Sequence, residues 1–129
     1  RFRDFITERA VDVLQPNVVI GGGYTQIQKV AGMAYAFNMP IDNGGAFPFH
    51  NMHLHAGVMN GGMVEYHHVS VECCKAFLKG LPEPKDGWLD LPEAPGLGFE
   101  PDMDAVRELA GAVKSMGQGK GEITQSPPP

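Results

Sequence analysis

Residues 38–68 constrain the fold of this chain more than any other stretch, because they read as strand, glycine loop, helix and strand. The first strand is predicted over 39–41, and two glycines after it allow the backbone to turn sharply. A helix-permissive run over 50–60 is stopped by another glycine pair, and a second strand is predicted over 63–66. Strands joined by a helix predict a parallel α/β arrangement with polar groups at the strand ends.

The preceding residues repeat this rhythm. Residues 11–20 are rich in Val, Leu and Ile, which predicts a strand buried on both faces. The three glycines at 21–23 either serve turn geometry alone or cradle a phosphate or carboxylate on backbone N–H groups. Thr25 and Gln28 match a capping box at the start of the next helix, and a further helix is predicted over 69–78.

The composition changes after residue 80. Five prolines and three glycines in residues 81–102 predict an extended return segment instead of another βα unit. A final amphipathic helix is predicted over 103–113. Four residues share its predicted buried face: Val106, Leu109, Ala110 and Val113. We therefore divide the chain into a partial barrel domain (1–80), the return segment and last helix (81–114), and a disordered tail (115–129).

Charge and cysteine content exclude several classes of protein. The net charge of −5, from 15 acids against 10 bases, argues against nucleic acid or an anionic membrane surface as a partner. No apolar run reaches the roughly 20 residues of a membrane span. Cys73 and Cys74 are adjacent, which does not suit an ordinary disulfide and favours a cytoplasmic setting. Because the chain starts without methionine and in a helical pattern, we expect a fragment of a longer protein.

Polar side chains lie where each predicted strand ends. Asn17 follows the first strand, Asp42 and Asn43 follow the second, and Glu65 lies near the end of the third. The carboxyl ends of parallel strands meet at one edge, so these side chains predict an active-site rim. Glu65 is the first candidate, since a carboxyl there could donate a proton to a developing enolate or act as a base. Taken alone, it could equally be a surface glutamate.

All five histidines lie in or next to this stretch. The spacing of His50, His53 and His55 is not HExxH, and no acid or cysteine stands at ligand spacing, so a zinc site is disfavoured. We expect His53 and His55 to be packing or surface residues. His50 follows the loop sequence AFPF and is free to reach over a pocket, and either His67 or His68 could face the mouth.

Three segments carry a family resemblance: DVLQPNVVIGGGYTQIQKVAGMAYAFNMPI (12–41), VEYHH (64–68) and DGWLDLPEAPGLGFEPD (86–102). Together they resemble the mandelate racemase/muconate lactonizing enzyme branch of the enolase superfamily. The resemblance implies an α/β fold, a modified TIM barrel with a cap domain. This chain would supply the C-terminal portion of that barrel, namely strands six to eight with their helices, the return segment and a final helix.

The resemblance also implies roles for the candidate residues. Family members bind Mg²⁺ through carboxylates on strands three to five, so its ligands are expected upstream and none within this chain. Glu65 matches the strand-eight acid that contacts the substrate carboxylate, and Asn17 matches the strand-six aspartate of a His–Asp dyad. The dyad histidine, expected near Asn43 or Gly44, is absent. This leaves His50 as a candidate base, with an upstream lysine as the alternative.

We therefore predict a Mg²⁺-dependent lyase, a sugar-acid (aldonate) dehydratase, that is inactive as this fragment alone. The predicted catalytic residues are Glu65, His50 and Asn17, and the predicted substrate-binding residues are Asp42, Asn43 and His67. The partner is a small acid sugar, with neither nucleic acid nor membrane, and the full-length protein is expected to be a homo-oligomer. Two alternatives stay open: a racemase or epimerase of a 2-hydroxy acid, and a non-catalytic relative that serves as a binding module.

Overall fold

The computed structural model describes residues 1–118. These residues form five helices and two short strands: α1 (Phe2–Thr7), α2 (Tyr24–Ala36), α3 (Pro48–Ala56), α4 (His68–Lys75), β1 (Leu78–Lys79), β2 (Glu100–Pro101) and α5 (Met103–Gln118). β1 and β2 pair antiparallel, with Leu78 opposite Pro101 and Lys79 opposite Glu100. No helix within the described part of the chain is long and apolar enough to cross a lipid bilayer.

Three segments between the helices lie side by side and run in the same direction. Leu14 bridges Ile41 in parallel, and Ile41 bridges Gly61 in parallel. The N–H of Asp42 donates to the Leu14 carbonyl (2.9 Å), and the N–H of Gly62 donates to the Ile41 carbonyl (2.8 Å). These are the three parallel segments of the fold, and they place the predicted strand ends at one common edge.

The predicted strands are nevertheless too long. Within 11–20 only one residue bridges a neighbour; Pro16 has no N–H to offer a ladder, and residues 18–22 form a turn. The strand predicted over 63–66 is wrong, because the bridge falls earlier, at Gly61. The parallel order was therefore predictable, whereas the extent of regular pairing was not.

The main core lies between α1, α2 and the three parallel segments. On α2, Ile27, Ala31 and Ala34 recur at helical spacing and are at most 1% exposed, so one face of this helix lies in the core. Phe37, which the helical spacing predicts on the same face, is 43% exposed. Nine buried residues make up this core: Ile6, Leu14, Val18, Ile27, Ala31, Ala34, Met39, Ile41 and Leu54. Burying one side chain the size of isoleucine contributes about 1.5–3 kcal/mol.

The start of α2 differs from the prediction. The residue before its first turn is Gly23, with φ 84°, and no side chain among residues 1–118 caps the helix. The capping box predicted for Thr25 and Gln28 is therefore wrong, because both residues already lie inside the helix. A glycine can adopt this positive φ without steric cost, and this explains why the glycine run precedes the helix.

A second, smaller core joins α3 and α4 to the return segment. Phe49, Val71 and Cys74 are buried there, and Phe99 packs against them. By contrast, the face of α5 that was predicted to be buried is not: Leu109 is 44% exposed and Val113 is 68% exposed. α5 also continues to Gln118, and the rest of the predicted tail, 119–129, lies outside the described residues.

Candidate functional site

The candidate site is built around residues 43–47, which follow the second parallel segment and which we call the rim loop. Gly45, Ala46 and Phe47 all have positive φ, at 78°, 72° and 59°. A left-handed conformation is free for glycine but costs about 1–2 kcal/mol for each residue with a side chain. The surrounding structure must therefore stabilise the rim loop.

The amide group of Asn17 supplies part of that stabilisation. Its Nδ2 lies 2.9, 3.1 and 2.9 Å from the carbonyl oxygens of Gly44, Gly45 and Ala46. Its Oδ1 accepts from the N–H of Val19 at 2.9 Å, and the residue is only 3% exposed. Asn17 thus holds three carbonyls of the rim loop from the end of the first parallel segment. The structure requires an amide at this position, where the family's dyad has an aspartate. A carboxylate would place acceptor oxygens against the three carbonyl oxygens, with no hydrogen to share.

A second amide, that of Asn51 on α3, holds the same loop from beneath. Its Nδ2 donates to the Phe47 carbonyl at 2.9 Å, and its Oδ1 accepts from the N–H of Val18 at 2.9 Å. Asn51 is fully buried, with 0% exposure. Sequence reasoning missed this residue. A polar side chain among the apolar neighbours Phe49, Met52 and Leu54 was the signal that could have found it.

Asn43 is buried in the rim loop itself, at 2% exposure. Its Nδ2 donates to the carbonyls of Gly44 (3.2 Å) and Ala46 (3.3 Å). Its Oδ1 is buried and has no hydrogen-bond partner within residues 1–118. The side chain therefore faces the interior of the loop in this structure, and the substrate-binding role predicted for it stays a prediction.

The N–H groups of the rim loop are held from the opposite side. Glu65, which is exposed, accepts the N–H of Ala46 on Oε2 at 2.8 Å. The hydroxyl of Ser70, in the first turn of α4, accepts the N–H of Phe47 at 3.0 Å. Side chains from both outer parallel segments and from two helices therefore converge on one loop. Asn17 and Glu65 meet it from opposite sides.

Asp42 lies at the same edge but binds a different segment. Its Oδ1 accepts the N–H of Met63 at 2.7 Å, which ties the second parallel segment to the third. Asp42 also lines a cavity of about 700 Å³ between α3 and the return segment. The other residues that line it are Met52, His55, Ala56, Gly62, Met63, Val64, Gly87, Trp88, Leu89 and Leu91. The cavity is therefore mainly apolar, with one carboxylate at its edge.

His50 lies on α3, with its ring against aromatic side chains. The ring centroid is 5.1 Å from that of Phe99 and 6.4 Å from that of Phe47, both edge-on. Its Nδ1 is buried without a hydrogen-bond partner in the described residues. Burial, helped by the nearby His53, lowers the pKa of His50 below its ordinary value. The imidazole is therefore neutral near pH 7 and packs under the return segment.

His67 caps α4, because its Nδ1 accepts the N–H of Ser70 at 3.3 Å. It is exposed, and the substrate-binding role predicted for it stays a prediction. His53 contacts the return segment through Nε2, which lies 3.0 Å from the Leu97 carbonyl. His55 is only 7% exposed, so the expectation of a packing role fits its position.

The side chains around the rim loop were compared with the ligands that a metal ion needs. Across residues 1–118, no three His, Cys, Asp or Glu side chains lie close enough together to hold a metal ion. In each of the two rim acids, Asp42 and Glu65, one carboxylate oxygen accepts a hydrogen bond from a backbone N–H. The donor set in this part of the chain therefore does not fit a Mg²⁺ site by itself.

Comparison with known proteins adds three curated relatives. The chain is 29% identical over 102 residues to an arabinonate dehydratase of Saccharolobus solfataricus, covering 76% of this chain. It is 27% identical over 114 residues to a D-xylonate dehydratase of Haloferax volcanii, covering 81%. A D-galactonate dehydratase family member of Paenibacillus sp. is 31% identical over 117 residues, covering 82%. The chain spans only about a quarter of their lengths, 26–27%.

Solved structures show the same fold. A member of the enolase superfamily from Salmonella Typhimurium superposes with a TM-score of 0.75 at 23% identity, covering 83% of this chain and 29% of that one. L-talarate dehydratase from Polaromonas sp., complexed with Mg and L-glucarate, gives 0.72 at 26% identity, covering 82% and 28%. The family described as "Enolase C-terminal domain-like" matches residues 1–105. The chain therefore belongs to the mandelate racemase/muconate lactonizing enzyme family of enolase C-terminal-like domains, and its α/β fold is a portion of that barrel-type domain.

Proposed function

We propose that this chain forms part of the mouth of a barrel enzyme that dehydrates acid sugars. The names of the relatives support this, since they are arabinonate, D-xylonate and D-galactonate family dehydratases. The observation that carries the proposal within the chain is the placement of Glu65. Its exposed carboxylate lies beyond the end of the third parallel segment and is fixed to the rim loop by the N–H of Ala46.

Dehydration of an aldonate removes the proton from the carbon next to the carboxylate and hydroxide from the following carbon. The resulting enol then converts to a 2-keto-3-deoxy acid. The reaction needs one group to accept a proton and one to donate a proton to the departing hydroxide. Glu65 suits a contact with the substrate, because one of its oxygens is fixed at 2.8 Å from Ala46 N and the other makes no hydrogen bond within residues 1–118.

The remaining candidates take supporting roles in this proposal. His50 would be the base, since burial lowers its pKa and leaves a neutral imidazole able to accept a proton. Its ring lies against Phe99, so the return segment would have to move away from His50 before a substrate could reach the ring. The competing base is a lysine from another part of the complete barrel. Asp42 and His67 would bind substrate hydroxyls, and Asn17 and Asn43 would shape the loop.

Magnesium belongs to the proposal as a cofactor held by residues other than those described. Structures with this fold include one complexed with Mg and L-glucarate and one in complex with magnesium. When bound, such an ion would stabilise negative charge that develops on the substrate carboxylate. The contribution of this chain is then to position Glu65 and to shape the mouth.

The test is an assay of the complete barrel protein containing this chain, with Mg²⁺ and a panel of aldonates, scored for 2-keto-3-deoxy acid. We expect Glu65→Gln to lower kcat by roughly 100-fold, within the range for loss of an acid–base group. The matched control is Glu93→Gln, an exposed glutamate of the return segment, which should leave kcat unchanged.

Two results would count against the proposal. If no aldonate yields product or exchanges its α-proton with solvent, the enzyme assignment is wrong and a binding role takes its place. If deuterium enters the α-position without dehydration, the protein is a racemase or epimerase instead. Full activity in Glu65→Gln would remove Glu65 from the site while leaving the reaction class in place.

A further inference from the structure

We propose that Asn51 is a positioning residue that holds Glu65 in place by acting through the rim loop. This inference rests on the proposed function of Glu65. Asn51 touches neither Glu65 nor the solvent, and it lies on α3 with 0% exposure. Its effect on the site is therefore indirect, and it differs from that of a group that contacts the substrate.

The first step is the link that Asn51 makes between two strand ends. Its Oδ1 accepts a hydrogen bond from the N–H of Val18, the residue that follows Asn17, at 2.9 Å. Its Nδ2 donates to the carbonyl oxygens of Phe47 at 2.9 Å and Ala46 at 3.3 Å. One buried amide thus satisfies backbone groups of both the first segment and the rim loop. An unmade bond here would leave buried backbone groups without partners.

The second step runs through the peptide groups of the rim loop. A trans peptide is planar, so its carbonyl and its N–H point in opposite directions and turn together. The Gly45 carbonyl, which shares a peptide with the Ala46 N–H that Glu65 accepts, is held by Asn17. Asn51 holds the next two carbonyls, those of Ala46 and Phe47. If Asn51 releases them, Ala46 and Phe47 can leave their left-handed conformations, and rotation of the Ala46 backbone moves its N–H away from Glu65.

Asn51→Asp isolates this effect, because it keeps Oδ1 and the side-chain volume but removes both donated hydrogen bonds. Asn60→Asp is the matched control: the Nδ2 of Asn60 also donates to two backbone carbonyls, those of Ala31 (3.1 Å) and Met39 (3.0 Å), away from the rim loop. Both variants should lower Tm, since both lose two hydrogen bonds. Only Asn51→Asp should disturb the contact between Ala46 and Glu65.

Two readouts separate positioning from general destabilisation. Amide hydrogen exchange at Ala46 should become about tenfold faster or more in Asn51→Asp and stay unchanged in Asn60→Asp, because exchange reports local opening. The ¹³C chemical shift of the Glu65 carboxyl carbon should change only in Asn51→Asp, because only there does the carboxylate lose the N–H of Ala46. Should that variant not fold, the smaller and uncharged Asn51→Ser serves in its place with the same expectation.

In the complete enzyme, Asn51→Asp should lower kcat by about tenfold or more and displace the pH profile, whereas Asn60→Asp should change neither. The exchange and ¹³C measurements need no turnover, so they judge Asn51 even if the dehydratase proposal fails. The inference is overturned if Ala46 exchange and the Glu65 carboxyl chemical shift match wild type in the Asn51 variant, or if both variants change them equally.

Discussion

Replacing His55 by leucine should stabilise this chain, although His55 is among its most buried polar residues. The side chain is 7% exposed, and neither ring nitrogen has a hydrogen-bond partner among residues 1–118. A buried polar group without a partner costs about 1–3 kcal/mol. Leucine removes that cost and fills a site beside the apolar cavity wall. We expect the free energy of unfolding to rise by about 1–2 kcal/mol after a small loss of packing.

The same reasoning predicts a change in the pH dependence of stability. Burial lowers the pKa of His55 from its ordinary value of 6.5, against a smaller opposing pull from Asp42. Below pH 6.5 the unfolded chain therefore binds a proton that the folded chain does not, and stability falls as pH falls. One such histidine contributes a slope of up to about 1.4 kcal/mol per pH unit. His50 adds its own slope in the same direction, so His55→Leu should reduce the slope without abolishing it.

Urea unfolding of the 129-residue chain, measured at pH 5.0–8.0 by circular dichroism, provides the assay. His68→Leu is the matched control, because His68 is exposed at the start of α4 and its loss should change stability by less than about 0.5 kcal/mol. A destabilised His55→Leu with an unchanged pH slope would refute the reasoning. It would mean that the imidazole makes strong hydrogen bonds in the folded chain.

Substitutions at four further positions test the fold and the rim, each measured by urea unfolding. Gly32→Ala on α2 should stabilise by about 0.5–1 kcal/mol, since its Cβ would meet nothing within 4 Å. Gly61→Ala should instead destabilise by about 1–3 kcal/mol, because its Cβ would collide with the backbone carbonyl of His55. Asn17→Asp should cost about 2 kcal/mol or more at pH 7, because a carboxylate would face three carbonyls; wild-type stability would contradict the loop assignment. His67→Ala should cost about 0.5–1 kcal/mol with a loss of helical signal as α4 loses its cap, and His67→Asn should retain both.

Local pattern was sufficient for the order of the elements. Apolar runs separated by glycine turns predicted three parallel segments, and the bridges of Leu14 to Ile41 and of Ile41 to Gly61 show them. The buried stripe of α2 also follows from spacing alone. Strand length could not be predicted in this way. How far the pairing extends around Pro16 depends on which backbone groups of neighbouring segments lie within hydrogen-bonding distance, and local sequence does not show this.

The hydrogen bonds inside the candidate site could not be predicted from the sequence either, because they join residues far apart along the chain. The hydrogen bonds of Asn17 to the rim loop join residues 27–29 positions apart. Those of Asn51 to Val18 join residues 33 apart. No local signal distinguishes an asparagine that holds a distant loop from one that contacts a ligand. The exposed face of α5 was missed because amphipathicity indicates that a helix has an apolar side, and not that a neighbour covers it.

The rim loop has a consequence for engineering. Its conformation is not encoded in its own five residues, since its anchors come from the first and third parallel segments, α3 and α4. Grafting the loop alone onto another barrel would transplant an unstable conformation. A successful graft would have to carry both asparagine anchors, the glutamate and the serine together, so the smallest exchangeable unit at this mouth is the whole set of four supports with the loop they hold.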